Sequence, residues 1–306
     1  MSETPFKPGM GWLPDYPDFR DYDINKDEIY PHQKTKGQKA TVKEMLSNLG
    51  LVRVKGVALP DKCDDLRKWC PPIDDQSSLG SCTAHAGVGM VEYFERRAFG
   101  DYIQASRLFL YKVSRNLLGL TGDSGAYLRT TMAALTLFGV PPEEYWPYVI
   151  ADYEKEPTSF LYAFAQNYQA ISYYRMDPPG TPPDKLLERI KIFLRAGLPS
   201  MFGFTVYSSY VQAGKTGMFP FPLKGERRVG GHAVMAIGYD DNLKIMNIDP
   251  GGIETTGALM IRNSWGTGWG DQGYGWLPYE YVLRSLAVDW WSILKSEWVD
   301  TKIFGL

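Results

Sequence analysis

Cysteine and histidine are scarce in this chain, with three of each: Cys63, Cys70 and Cys82, and His32, His85 and His232. The cysteines are odd in number and sparse, which excludes a fold stapled by a disulfide framework. Cys63 and Cys70 could pair, but in a reducing compartment both are expected to stay free and partly buried. No histidines and cysteines fall into the paired spacing of a zinc site, so neither a metal nor a cofactor is expected. An excess of one charge is missing too. Lys and Arg total 33 against 35 Asp and Glu, and no long basic run stands out. A nucleic-acid partner is therefore not expected. The longest apolar runs are too short for a bilayer, so no membrane is expected either. The first eight residues carry Pro and charge where a secretory leader needs an apolar core, which makes the cytoplasm the expected location. Nothing in the sequence sets an oligomeric state.

What is present is room for two lobes around one site, in 306 residues. Residues 1–58, rich in Pro, Asp, Tyr and Lys, read as an extension that packs on a domain. One short helix is expected there over 41–49, closed by Gly50. Leu13-Pro14-Asp15 is echoed by Leu59-Pro60-Asp61. The echo is taken as a shared turn preference. Apolar spacing predicts helices over 82 to about 97, 106–117, 127–138 and 183–196, with Gly100, Gly139 and Gly197 at or just past their ends. The period then changes. Strands are expected over 199–206, 232–239, 257–263 and 273–277, and a short one over 171–175. Helices first and strands later predict an α+β protein with a helical lobe and a sheet lobe.

The chemistry starts at Gln76 and Cys82, six residues apart across a Gly-containing loop. A cysteine opening a helix sits at the positive end of the helix dipole, which favours thiolate. A glutamine just upstream can aim an amide N–H at the oxygen of a carbonyl under attack. The base candidate is His232, after Gly230 and Gly231, which leave space beside it. The orienter candidate is Asn263, in Asn263-Ser264-Trp265-Gly266, whose amide oxygen can accept from an imidazole N–H. Trp265 can cover that bond from water. His32 and His85 read as surface or packing residues. Trp290, Trp291 and Trp298 read as core and edge packing.

Together these segments resemble the papain family of cysteine peptidases. The Gln76–Cys82 loop, the His232 segment and the Asn263-Ser264-Trp265-Gly266 segment, running on to Gly273-Tyr274-Gly275, occur in the family's order from about residue 59. Residues 122–128 are similar to the family's substrate-pairing loop. The resemblance implies a two-lobe papain-like fold in residues 59–306. A helical left lobe would occupy about 76–168. An antiparallel β-sheet or barrel would form the right lobe, about 169–290 plus the chain's start and end, with the active-site cleft between. It implies Cys82 as nucleophile, held as thiolate by the helix and by an imidazolium at His232. Asn263 would orient His232, and Gln76 with the Cys82 N–H would hold the oxyanion. Gly125 and Ala126 would pair with an extended peptide. Leu128, Gly230 and Ala233 would line the pocket for the side chain two places before the scissile bond, an apolar or aromatic one. Gly231 and Trp265 complete the implied substrate-binding set.

The family's loop has a disulfide where Leu79 and Asp123 stand here. Its loss suits folding without an oxidising compartment. Thr83 stands where a Trp is common, and His85 where a Phe is usual; Ala126 replaces a Gly. None of these removes a catalytic group. Residues 1–58 do not match the helical pro-segments of eukaryotic members. A pro-like role is still expected for them, with part of the segment covering the cleft as an intramolecular inhibitor. The expected function is a thiol endopeptidase acting on peptides or proteins through an acyl-enzyme on Cys82. The alternatives are a peptide ligase or transpeptidase on the same acyl-enzyme, and a cleft-capped peptide-binding protein without turnover.

Overall fold

A long buried helix lies between a layer of helices and an antiparallel sheet, and its first residue is Cys82. The computed structural model describes residues 8–19, 21–25, 28–29, 34, 38–51, 58–168 and 172–306. His32, Ile171 and the first seven residues, on which expectations fell, lie outside these.

Helix α1, Val42–Asn48, begins with a reciprocal cap. The Thr41 hydroxyl accepts from the Glu44 N–H at 3.1 Å, and the Glu44 carboxylate accepts from the Thr41 N–H at 2.7 Å. Helix α2, Cys82–Phe99, ends at Gly100 in the left-handed region, whose N–H reaches back to the Arg96 carbonyl. Helix α3, Arg107–Leu118, is capped by Ser106, and α4 spans Leu128–Leu137. Helix α5, Ser159–Ala165, was not expected from the apolar spacing; the Thr158 hydroxyl caps it. Helix α6 is Pro183–Arg195. The expected helices thus form, each within a residue or two of its predicted ends.

The strands are β1 (Lys62–Cys63), β2 (Ser172–Arg175), β3 (Ser200–Tyr207), β4 (Arg228–Met246), β5 (Glu254–Arg262), β6 (Tyr274–Pro278) and β7 (Ala287–Leu294). They form one sheet in the order β2-β7-β3-β4-β5-β6, with β1 on β4 and every described pair antiparallel. Strand β4 runs further than its apolar core predicted, because its polar ends still find ladder partners on β3 and β5. Strand β7 was not anticipated. Asp289 interrupts its apolar run, and the ladder slips between Met201↔Trp291 and Gly203↔Val288. Asp289 sits in that bulge with φ of 64°. A bulge of this kind bends the strand and re-aims a side chain.

Helix α2 is buried almost all round from Cys82 to Phe94, with Thr83, His85 and Glu92 among its buried residues. It packs on β4 and β3 on one side and on α3 and α4 on the other. Gly89 has a steric reason: a Cβ there would lie 2.7 Å from an Arg262 guanidinium nitrogen. Trp290, Trp291 and Trp298 are buried, Trp290 stacking on Phe202 at 3.9 Å and Trp298 on Phe94 at 4.8 Å. The three cysteines are free and buried.

The N-terminal residues run across the molecule as a strap. Residues 9–13 pair with the 77, 126 and 231 backbones, Tyr22 and Asp23 join the edge strand at Arg175, and α1 contacts the helix Ser296–Asp300 near the C-terminus.

Candidate active site

Three loops and one strand converge where α2 meets β4. The Ala233 N–H lies 3.4 Å from Cys82 Sγ, which brings the thiol against the residue following His232. His232 Nε2 lies 2.8 Å from Asn263 Oδ1. That oxygen also accepts from the Ser264 N–H at 2.8 Å, which fixes the amide's orientation. An amide oxygen only accepts, so the His232 proton sits on Nε2. Nδ1 is buried with no hydrogen-bond partner among the described residues. Trp265 stacks on the imidazole, centroids 4.6 Å apart, and covers the His232–Asn263 bond.

Gln76 is held from both ends. Its backbone N–H donates to the Ser264 carbonyl at 2.9 Å, and its Oε1 accepts from the Ser264 hydroxyl at 2.6 Å. Its amide nitrogen donates to the Leu79 carbonyl at 2.8 Å and, on the strap, to the Gly9 carbonyl at 3.0 Å. Asp75 bridges to Trp265 and accepts from the Ser77 N–H at 2.7 Å, which supports Ser77 at a φ of 54°. The Gln76 loop and the Asn263 loop are thereby tied together.

The loop between Gln76 and Cys82 has a brace that sequence reasoning did not find. Asp123 accepts the Gly80 N–H with both carboxylate oxygens, at 2.9 and 3.1 Å, and the Tyr111 hydroxyl at 2.5 Å. Leu79 and Asp123 were noted only as places without cysteine. A carboxylate opposite a backbone N–H does the tethering instead.

The strap lies in the cleft. Ala126 donates to the Gly11 carbonyl at 2.9 Å and accepts from the Leu13 N–H at 3.1 Å, forming a parallel bridge at Trp12. The Trp12 N–H reaches the Gly231 carbonyl at 3.1 Å, and Met10 packs on Gly230. A side chain at Gly11 would strike the Gly80 carbonyl oxygen at 1.7 Å, and one at Gly125 the Gly11 oxygen at 2.2 Å. Leu128 and Ala126 are fully buried nearby. Arg129 on α4 holds the strap from outside the cleft. It donates to both Asp21 oxygens, at 2.7 and 3.0 Å, to the Tyr16 carbonyl at 2.8 Å, and to Asp15. Beyond Pro8, an open cavity of about 710 Å³ is lined by Tyr210, Val211, Trp265 and Trp269 among others.

Burial acts against charge at both Cys82 and His232. Burial pushes the Cys82 thiol up to about 11, although the N–H groups of Ala233, Gly11, Thr83 and Cys82 itself pull it down. Burial also drops the His232 imidazole to about 4, against the Asn263 bond, which raises it. Both shifts run toward the uncharged forms. That burial works against the thiolate–imidazolium pair that the resemblance implies. His85 is a packing residue: buried, bonded through Nδ1 to the Ser81 carbonyl at 3.0 Å, and edge-on to Tyr148.

The model of the papain family cysteine proteases matches residues 59–282. An uncharacterized peptidase C1-like protein of Acanthamoeba polyphaga mimivirus is 31% identical over 96% of this chain and 89% of its own length. Cathepsin K of Gallus gallus is 30% identical over 70% of this chain and 58% of its own length. Among solved structures, Xylellain, a cysteine protease from Xylella fastidiosa, superposes with a TM-score of 0.69 at 32% identity. That match covers 96% of this chain and 98% of the other.

Proposed function

The chain belongs to the papain family of cysteine proteases, and on that footing we propose a thiol endopeptidase that works through Cys82, His232, Asn263 and Gln76 and is held covered by its own N-terminal strap. One observation carries the assignment: the Cys82 thiol at the start of α2 abuts β4 at Ala233, beside an imidazole whose far nitrogen is bonded to Asn263.

When the strap leaves, water re-enters and the Cys82 proton passes to His232 Nδ1, the nitrogen without a partner. The thiolate attacks the scissile carbonyl carbon, and its oxygen becomes an oxyanion held by the Gln76 amide and the Cys82 N–H. The imidazolium gives its proton to the leaving amine as the C–N bond breaks, leaving a thioester. Water then attacks the thioester, and its proton passes through His232. The acid product leaves and the thiol is restored. Asn263 holds the ring in one tautomer throughout, and Trp265 keeps water off that bond.

Gln76 already donates to a strap carbonyl, the contact an oxyanion donor makes. The strap sets the Gly11 N–H near the Cys82 sulfur. Endopeptidase action is favoured by space on both sides of the thiol. The strap backbone itself continues in both directions, toward Pro8 and the 710 Å³ cavity at one end and through Trp12 to Leu13 at the other, which is the path a continuing chain needs.

The test is product analysis on an internal-cleavage peptide with the full-length protein, before and after strap release by limited proteolysis. Cuts within the peptide are expected after release, and none with Cys82→Ser. Products joined to an added amine would instead assign transfer. A Cys82 that resists an epoxysuccinyl peptide near neutral pH in both forms would leave a capped binding protein as the answer.

A further inference from the structure

Trp12 fills a slot made for a flat ring with a hydrogen-bond donor at its far edge. Its walls are glycines: a Cβ on Gly203 would lie 1.8 Å from the indole Cε2, and one on Gly231 2.8 Å from Cε3. At the floor, the indole N–H donates to Asp289 Oδ2 at 3.1 Å. Asp289 and Trp12 are both buried. The acceptor is there because the β7 bulge turns Asp289 out of the ladder, in a left-handed conformation that costs energy in a non-glycine residue. Its other oxygen is committed, to Trp291 Nε1 at 2.7 Å and to Arg175 at 3.2 Å. Oδ2 is therefore the oxygen offered to whatever enters.

We propose that this slot, emptied of Trp12, is a specificity pocket that selects an indole side chain in the substrate, with Asp289 as the residue that reads its N–H. The proposal rests on the peptidase reading and replaces the broader expectation of any apolar or aromatic residue. A phenylalanine fills the walls but leaves Oδ2 unpaired in a dry site, and a pocket built around a hydrogen bond rejects the analogue that lacks it. An arginine brings donors but would set a second buried guanidinium beside Arg175, which is fully buried and already pairs with Asp289, Asp177 and Asp21.

The experiment uses the full chain with Trp12→Ala to vacate the slot and Cys82→Ser to remove chemistry. Calorimetric affinities are measured at pH 8 for blocked peptides that differ only in one residue: Trp, 1-methyl-Trp, Phe, Leu or Arg. The Trp peptide is expected to bind about tenfold more tightly than the Phe peptide. Methylating the indole nitrogen should erase that advantage with no change to the protein. Asp289→Asn should erase it too: Arg175 and Trp291 keep the amide oxygen, so an NH₂ faces the indole N–H. Equal or tighter binding of Phe or Leu, tightest binding of Arg, full retention with 1-methyl-Trp, or no binding by any peptide would each overturn the proposal. Failure of the peptidase reading is separate, because it shows only in turnover by the protein that retains Cys82.

Discussion

Replacing Arg129 by alanine should open the cleft without touching it. Arg129 stands on α4 and grips the strap at Asp15, Tyr16 and Asp21. Its side chain is 28% exposed, whereas that of Asp21 is 4% exposed. Hydrogen bonds to a charged partner are worth about 1.5–3 kcal/mol each when dry. Partial exposure reduces that, and Arg175 still lies 3.4 Å from Asp21 in the variant. A net loss of roughly 2 kcal/mol of strap docking follows. At about 1.4 kcal/mol per factor of ten, the open population rises about 30-fold. The assay is alkylation of Cys82 by iodoacetamide, mapped by mass spectrometry under conditions where closing outpaces labelling, so that rate tracks population. Cys63 and Cys70 are internal controls, since both are buried, with thiols bonded to the Leu194 and Leu66 carbonyls, and should react only on wider unfolding. Arg129→Lys keeps the charge without the planar fork and should fall between. A Cys82 rate unchanged by Arg129→Ala in a folded protein would refute the reasoning. So would equal acceleration at all three cysteines.

The Asp123 brace predicts a local effect. Asp123→Ala deprives the Gly80 N–H and the Tyr111 hydroxyl of their acceptor, so kcat/KM on a peptide should fall about tenfold with a small loss in melting temperature. Asp123→Asn keeps an oxygen at the site and should recover most of the rate. A second prediction concerns Glu92, buried in α2, whose carboxyl burial pushes up to about 8. The folded protein then holds a proton that the unfolded chain releases between about 4.5 and 8, so this group's contribution to stability is lost as pH rises through that window. Melting temperature measured from pH 5 to 8 should therefore fall in the wild type relative to Glu92→Gln. A constant difference between the two would contradict it.

Much of the candidate site was legible because its residues lie in or beside regular elements. Cys82 opens α2 and His232 lies in β4, both of which apolar periodicity marks, and Asn263 follows β5 directly. The stops at Gly100, Gly139 and Gly197 are readable for a related reason: each takes a positive φ at a helix end, where glycine has no steric penalty. Contacts between distant segments were not legible. Nothing local to Asp123 says that it receives the Gly80 N–H, and nothing local to Trp12 says that Gly203 leaves room for it. Strand β7 stayed hidden because Asp289 is a poor strand residue whose reason lies in the pocket beneath Trp12. The burial that works against charge on Cys82 and His232 was hidden likewise, since part of it comes from a strap 70 residues upstream of the thiol.

That cover is part of the same chain, which sets how it competes. A tethered segment sees its site at an effective concentration of about millimolar, whatever the amount of protein in solution. Weak backbone contacts at Gly9 and Gly11, segments that lose much entropy on ordering, can therefore outcompete peptides present at micromolar levels. The same arithmetic makes release abrupt. On the reading proposed above, one cut between the strap and β1 would turn an intramolecular ligand into a dilute free peptide, and the advantage of the tether would disappear in that single event. On the proposed reading, closure is reversible before the cut and opening is effectively permanent after it, and the switch lies in the tether.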